Sequence, residues 1–331
     1  MGDVAMSIPV LKAFIIQYPN VKITVLSKPF LKPLFTDIKN VHFYDAEVNG
    51  KHKGIFGIFK LYKELKLLHI DAVADLHNVL RSKFLRLLFK LSFTKIAYID
   101  KGRKEKRALT RSTNKVFEQL KTTHERYADV FRNLNYPLDL SNPEFPPKKE
   151  LTQEIITITG TKNSIWVGIA PFAKYNSKMY PIDLMEQVIA DLSKNKNLKI
   201  LLFGGGEKEI SALEILENNY PNTINVAGKI KLTQELQLIS NLDCMLSMDS
   251  GNAHFAAMMG VKTLTLWGVT HPYTGFAPFN QLPENAILPD LKKYPAIPCS
   301  IYGNKVFKGY EDVMRSIPPA LIVEKVLKTI H

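Results

Sequence analysis

The sequence predicts an α/β protein built from two doubly wound domains. Three observations carry the prediction. The 331 residues exceed what one hydrophobic core usually supports. Short apolar runs alternate with amphipathic runs of helical period, the pattern of a parallel sheet wrapped by helices. A polar, proline-rich stretch, Ser141-Asn142-Pro143-Glu144-Phe145-Pro146-Pro147-Lys148-Lys149, interrupts the alternation, which then starts afresh. The expected domains are residues 1–147 and 148–331, with the last helix, 320–330, expected to pack back on the first domain.

In the first half, residues 7–18 have helical spacing, 21–27 alternate as a strand, and 29–35 begin another helix. Residues 41–44 form a short strand, 55–67 a basic amphipathic helix, 72–76 a strand, 82–91 a helix and 95–98 a strand. After the proline-rich stretch, strands are expected at 164–169, 199–203, 223–226, 244–248 and 263–267. Helices are expected at 182–194, 207–218, 233–241, 252–259 and 320–330, the last following Pro318-Pro319. A doubly wound domain ordinarily opens with a central strand whose C-terminal end delivers the first turn. Here Met1-Gly2-Asp3-Val4 stands at that turn. The expectation is a missing first strand, a gap in the N-terminal sheet, and a true start upstream of Met1.

Charge is distributed unevenly. Residues 1–150 hold 27 Lys/Arg against 15 Asp/Glu, whereas residues 151–331 hold 17 against 16. The basic half is suited to an anionic partner, such as a phosphorylated lipid, a membrane surface or nucleic acid, and equally to a solvated surface that serves solubility. No apolar run reaches the roughly 18–20 residues that span a bilayer, and no leader pattern is visible. The two cysteines, Cys244 and Cys299, give neither a disulfide framework nor metal-ligand spacing, which fits a reducing cytoplasm.

Ligands of a doubly wound domain bind at the C-terminal ends of its strands, and four segments fall there. Gly2-Asp3-Val4-Ala5-Met6-Ser7-Ile8-Pro9 reads as a loop entering a helix, where Asp3 can accept a proton from a hydroxyl or simply complement the helix dipole. Lys178, before a helix opening at Pro181, can reach a phosphate or remain solvated. Phe203-Gly204-Gly205-Gly206-Glu207 resembles a phosphate cradle but lacks the Gly-Lys-Ser/Thr ending of a P-loop, and Glu207 can take a ribose or merely begin a helix. Asp249-Ser250-Gly251-Asn252-Ala253-His254 follows a buried strand and opens a helix. Its backbone N–H groups and dipole suit a diphosphate, and Asp249 or Ser250 is equally suited to capping the helix. His254 lies one turn beyond Ser250 and faces the same space.

Together these segments, with Lys178-Met179-Tyr180-Pro181 and Thr265-Leu266-Trp267-Gly268, resemble glycosyltransferase family 9, the ADP-heptose:lipopolysaccharide heptosyltransferases. The resemblance covers nearly the whole chain in order. It implies two Rossmann-like domains facing across a cleft (the GT-B type) and an inverting, metal-independent transfer from a nucleotide sugar, ADP-heptose being the expected donor, with no cofactor. By the resemblance, Asp3 takes the place of the general base. Lys178, Asp249, Ser250, Gly251 and His254 match the donor-binding residues, and Glu207 is a looser match to the residue that contacts the nucleoside. The family usually has a tryptophan before the proline where this chain has Tyr180. The implied acceptor is an anionic lipopolysaccharide precursor, met at the inner face of the cytoplasmic membrane. Lys101, Arg103, Lys104 and Arg107 are candidates to bind it, and residues 55–67 and 84–93 to meet either the acceptor or the membrane surface. Alternatives are an epimerase-like enzyme, a transferase with another donor, or a basic membrane- or nucleic-acid-binding protein without catalysis. Nucleic acid is not expected, because no recognised binding motif is present.

Overall fold

In a computed structural model, which describes residues 1–331, the elements run in the order α1 (Gly2–Gln17), β1 (Ile23–Ser27), β2 (Val41–Asp45), α2 (Gly54–Lys66), β3 (Ala72–Asp75), α3 (Leu80–Leu91), β4 (Lys95–Tyr98), α4 (Arg103–Thr110) and α5 (Thr123–Arg132). They continue as α6 (Gln153–Thr159), β5 (Ile165–Ala170), α7 (Ile182–Ser193), β6 (Leu198–Leu202), α8 (Glu207–Asn219) and β7 (Thr223–Asn225). The chain closes with α9 (Leu232–Ile239), β8 (Cys244–Met248), α10 (Gly251–Met258), β9 (Thr263–Leu266), β10 (Ala286–Ile287) and α11 (Pro319–Ile330). Two compact α/β units result. Residues 3–103 and 121–144 form the first; residues 104–120 and 145–331 form the second. The later division, between Glu144 and Phe145, falls inside the proline-rich stretch.

The first unit has an interrupted sheet. Strands β1 and β2 pair in parallel, as do β3 and β4, but the two ladders share no strand. Every residue of β1 is only half-buried. This is the gap expected from the sequence. The segment around Asp3, read as a loop, is already helical, since α1 begins at Gly2 and contains Pro9. Pro9 cannot donate to the carbonyl of Ala5, yet the helix persists because it is buried on most sides. Ala5, Met6, Ile8, Val10, Leu11 and Phe14 are all in the core, and the Phe14 ring stacks on Phe131 of α5 at 4.5 Å. Residues 29–35, expected as a helix, form only a 3₁₀ turn, Pro29–Leu34, whose two prolines remove backbone donors. A polar network ties β2 to α2: the Tyr44 hydroxyl donates to Glu64 at 2.6 Å, and the fully buried His52 ring meets the same carboxylate oxygen at 3.0 Å.

The second unit carries one six-stranded parallel sheet in the order β10-β9-β8-β5-β6-β7. Relabelled by appearance, this is the 3-2-1-4-5-6 order of a doubly wound dinucleotide-type domain. Its strands are mostly apolar and largely buried, as a sheet covered on both faces requires. Residues 244–248 and 263–266 are buried without exception. The last helix belongs to this unit. It packs on α7 and β8, because Ile322 and Val326, one turn apart, complete the second unit's own core. Residues 104–120 also belong here. The Lys115 ammonium donates to the Pro298 carbonyl at 2.9 Å, the Phe117 ring packs on His271 and Tyr273, and the Leu120 N–H bonds the Tyr273 carbonyl.

Helix α9 holds a carboxyl group whose burial pushes its pKa from 4.5 up to about 7, that of Glu235. A folded pKa above the unfolded one means folding gains from this group below pH 4.5 and loses that gain as pH rises through 7. Glu235→Gln removes the titration. The expected result is that the variant gains about 1–3 kcal/mol over the parent between pH 5 and pH 8, read from urea unfolding at both pH values. An identical difference at the two would show that Glu235 titrates normally.

Candidate functional site

The centre of the second sheet is the pair β5 and β8, joined in register with Ala170 opposite Ser247. From β5 the chain leaves toward β6 on one side, and β8 leads on to β9 on the other, so their C-terminal ends flank the topological switch point. Two turns emerge there side by side. The one after β5 closes with a 3₁₀ turn, Asn176–Lys178. The one after β8 is Asp249-Ser250, leading directly into α10. Sheet register therefore brings Lys178 and Asp249, 71 positions apart, into contact: Nζ lies 2.9 Å from Oδ2, with both side chains largely buried. The fully buried Thr270 hydroxyl donates to the same oxygen at 2.9 Å. Sequence reasoning missed Thr270. It stands three residues past Leu266-Trp267, at the end of β9, the position from which a side chain can reach the turn after the neighbouring strand.

Two glycines let the loops close around Lys178. A Cβ on Gly268 would lie 2.0 Å from the Ser177 carbonyl oxygen, which accepts from the Val269 N–H at 3.2 Å. A Cβ on Gly303, whose φ is +84°, would lie 2.4 Å from Lys178 Cδ. Gly268 is barred to larger residues by the backbone of Ser177, and Gly303 by its positive φ, which lets its backbone lie against the lysine stem.

Of the two readings left open for the turn after β8, the geometry disfavours capping. Asp249 turns to Lys178 and Thr270. Ser250 occupies the N-cap position with extended backbone but makes no side-chain cap bond, its hydroxyl lying 3.2 Å from that of Ser247. The first turn of α10, beginning at Gly251, thus presents N–H groups that no side chain satisfies, at the positive end of the helix dipole. His254 is buried one turn further on, and its Nδ1 has no partner. Burial first, then the charge of Lys178, holds its pKa down to about 3, so the ring stays neutral at physiological pH. The arrangement can seat an anion on backbone donors and one lysine.

Glu207 begins α8 after the turn at Gly204-Gly205-Gly206 and is exposed. The residue that shapes the turn is Glu209, whose carboxylate accepts from the Gly205 N–H at 2.8 Å. Asp3 belongs to the first unit. It lies exposed in the first turn of α1, with its carbonyl accepting from the Tyr127 hydroxyl at 3.1 Å. It is close enough to Lys101 for their charges to interact. Burial, then Arg103, draws the Lys101 ammonium below its ordinary range, while Asp3 and Asp75 oppose that shift. The basic run is divided: Lys101 and Arg103 count with the first unit, Lys104 and Arg107 with the second.

Breaking a largely buried ion pair leaves an uncompensated charge. Lys178→Met is expected to destabilise the second unit by about 3 kcal/mol. Asp249→Asn in the same background should restore most of that loss, as measured by urea unfolding. No recovery in the double variant would mean the two side chains do not form an energetic pair.

Known proteins give this geometry its context. Residues 58–298 match the family model described as "Glycosyltransferase family 9 (heptosyltransferase)". The chain is 27% identical over 298 residues to lipopolysaccharide core heptosyltransferase OpsX of Haemophilus influenzae, covering 85% of this chain and 80% of the relative. It is also 27% identical to lipooligosaccharide heptosyltransferase 2 of Haemophilus ducreyi, covering 82% of each. Among solved structures, a family 9 glycosyl transferase from Veillonella parvula superposes with a TM-score of 0.75 at 18% identity, covering 99% of this chain and 94% of that one. The ADP-heptose lps heptosyltransferase II of E. coli superposes with a TM-score of 0.69 at 18% identity, covering 99% and 95%. With the family match spanning most of the chain and the switch-point turns in place, the chain belongs to glycosyltransferase family 9 (heptosyltransferase).

Proposed function

We propose that this glycosyltransferase moves a heptose from ADP-heptose onto a lipopolysaccharide-core acceptor or a related phosphorylated glycolipid, with inversion and without a metal ion. The observation that carries the reading is the Lys178–Asp249–Thr270 cluster beside the uncapped first turn of α10. The names of the relatives support the sugar and the acceptor class: one acts in the lipopolysaccharide core, and another is an ADP-heptose enzyme.

In this reading the Asp3 carboxylate takes the proton of the acceptor hydroxyl as its oxygen attacks the anomeric carbon. The bond from that carbon to the diphosphate breaks, and charge grows on the leaving phosphate oxygen. Lys178 and the backbone N–H groups of Ser250, at the N-cap, and Gly251, the first residue of α10, meet that charge without reorganising. His254, neutral and buried, offers a ring nitrogen to the same ligand, and Glu207 takes the nucleoside. Asp249 positions Lys178. Lys101, Arg103, Lys104 and Arg107 meet acceptor phosphates, and the basic first half places the enzyme at the inner face of the cytoplasmic membrane.

Removing a general base and removing a phosphate contact should separate kinetically. Asp3→Ala is expected to lower transfer by about 10²–10⁴-fold while donor affinity is kept. Lys178→Ala is expected to weaken donor binding about 10–100-fold. Transfer assays with ADP-heptose and calorimetric titration of the donor measure both. Equal losses of donor affinity in the two variants would sink the assignment.

A further inference from the structure

We infer that the outer faces of α2 and α3 form a single surface that docks on a bilayer bearing anionic headgroups. The inference gives a location to the membrane association proposed above, and rests on that reading for its purpose. Its evidence is separate. The two helices pack on each other through the Tyr62 and Phe89 rings, 5.1 Å apart, and through a hydrogen bond between the Tyr62 and Ser92 hydroxyls. Their inward residues, Leu61, Leu65 and Phe89, make the core contact. The opposite sides are not polar, as an ordinary solvent face would be. On α3, Leu80, Leu87 and Leu91 recur at i, i+7 and i+11, one narrow outward stripe, and all are exposed. Phe93 follows at 98% exposure, and Phe56, in the first turn of α2, is 90% exposed. A side chain of that size left in water has no packing reason to be there.

The charges around these residues select the partner. Lys60 and Lys63 stand on the outer side of α2, and Arg81, Lys83 and Lys90 flank the leucine stripe of α3. Helix α3 contains no carboxylate, and the one carboxylate of α2, Glu64, is held by Tyr44 and His52. Large apolar side chains set among cations, on helices too short to cross a bilayer, is the pattern of a segment lying in the headgroup region. There the rings and leucines reach the acyl boundary while the lysines meet phosphates.

The test uses the full chain, without any sugar nucleotide, and vesicles of phosphatidylcholine with or without 30% phosphatidylglycerol (about the anionic share that attracts basic segments). The chain is expected to co-sediment with the anionic vesicles and to be released by salt. Phe56→Ser, Leu91→Ser and Phe93→Ser combined should weaken vesicle binding at least about tenfold. Lys83→Ala with Lys90→Ala should weaken it about 25-fold, roughly fivefold per charge. Neither set touches the proposed donor residues, so donor affinity by calorimetry should stay at the parent value. Both native tryptophans, Trp166 and Trp267, are buried. Phe93→Trp therefore reports on its own surroundings, and its emission should shift to the blue with anionic vesicles. No binding to anionic vesicles, an unshifted emission, or undiminished binding by the apolar variant would overturn the inference. So would equal retention on duplex DNA, or a dimer in sedimentation velocity that the apolar variant dissolves. Because no donor is present, failure here leaves the transfer reading standing, and loss of transfer activity leaves this inference standing.

Discussion

The pairing of β5 with β8 is the constraint on which the rest of the second unit depends. Parallel strands in fixed register end at the same level, so whatever follows them is delivered to one place. Ala170 opposite Ser247 sets that level. From it follow the contact of Lys178 with Asp249, the reach of Thr270 from the next strand, and the direction in which α10 points its first turn. The two glycines at 268 and 303 only make sense within this frame, since one leaves room for the Ser177 carbonyl and the other for the Lys178 stem. A one-residue slip of β8 would turn each of its side chains to the other face and separate Asp249 from Lys178.

The electrostatic consequence is a site of nearly balanced charge. Asp249 offsets Lys178, and His254 remains neutral because burial and the neighbouring ammonium both oppose its protonation. The positive potential left over comes largely from backbone, the unsatisfied N–H groups of α10. Such groups do not titrate, so this part of the local potential is independent of pH. The first unit is different in kind. Its excess charge lies mostly on exposed lysines, its sheet is interrupted, and β1 is half-buried along its whole length. Its surface chemistry is therefore set by side chains with freedom to adapt.

Much of this was legible in the sequence where period and chain ends agree. The buried strands of the second unit, the helices over 182–193 and 207–219, and the turn at Asp249 all follow from continuous apolar runs bounded by glycine, proline or an acidic residue. Helix α5 was overlooked although Thr122 caps it by accepting from the Glu125 N–H, a spacing the sequence displays. The helical spacing from residue 7 on is visible, but Asp3 reads as part of a strand-to-helix turn, whereas α1 already begins at Gly2 and carries Pro9 within it because the residues around it are buried. Thr270 could not be assigned from spacing, because it acts on a turn delivered by another segment of the sheet; Glu209 acts on its own turn, four residues back, where a carboxylate in a first helical turn carries no distinguishing signal. The apolar stripe of α11 shows that it packs, and only the fold shows on what.

The excursion of residues 104–120 has a topological cost. The chain leaves the first unit after Arg103, runs along the second through Leu120, and returns to build α5 before leaving again at Glu144. Three crossings join the units, and no single cut separates them cleanly. A fragment ending at residue 144 would carry Lys115 and Phe117 with nothing beneath them. A fragment starting at residue 145 would leave the Pro298 carbonyl and the His271 and Tyr273 rings bare. Dissecting the chain into halves would create apolar edges that the intact chain never shows.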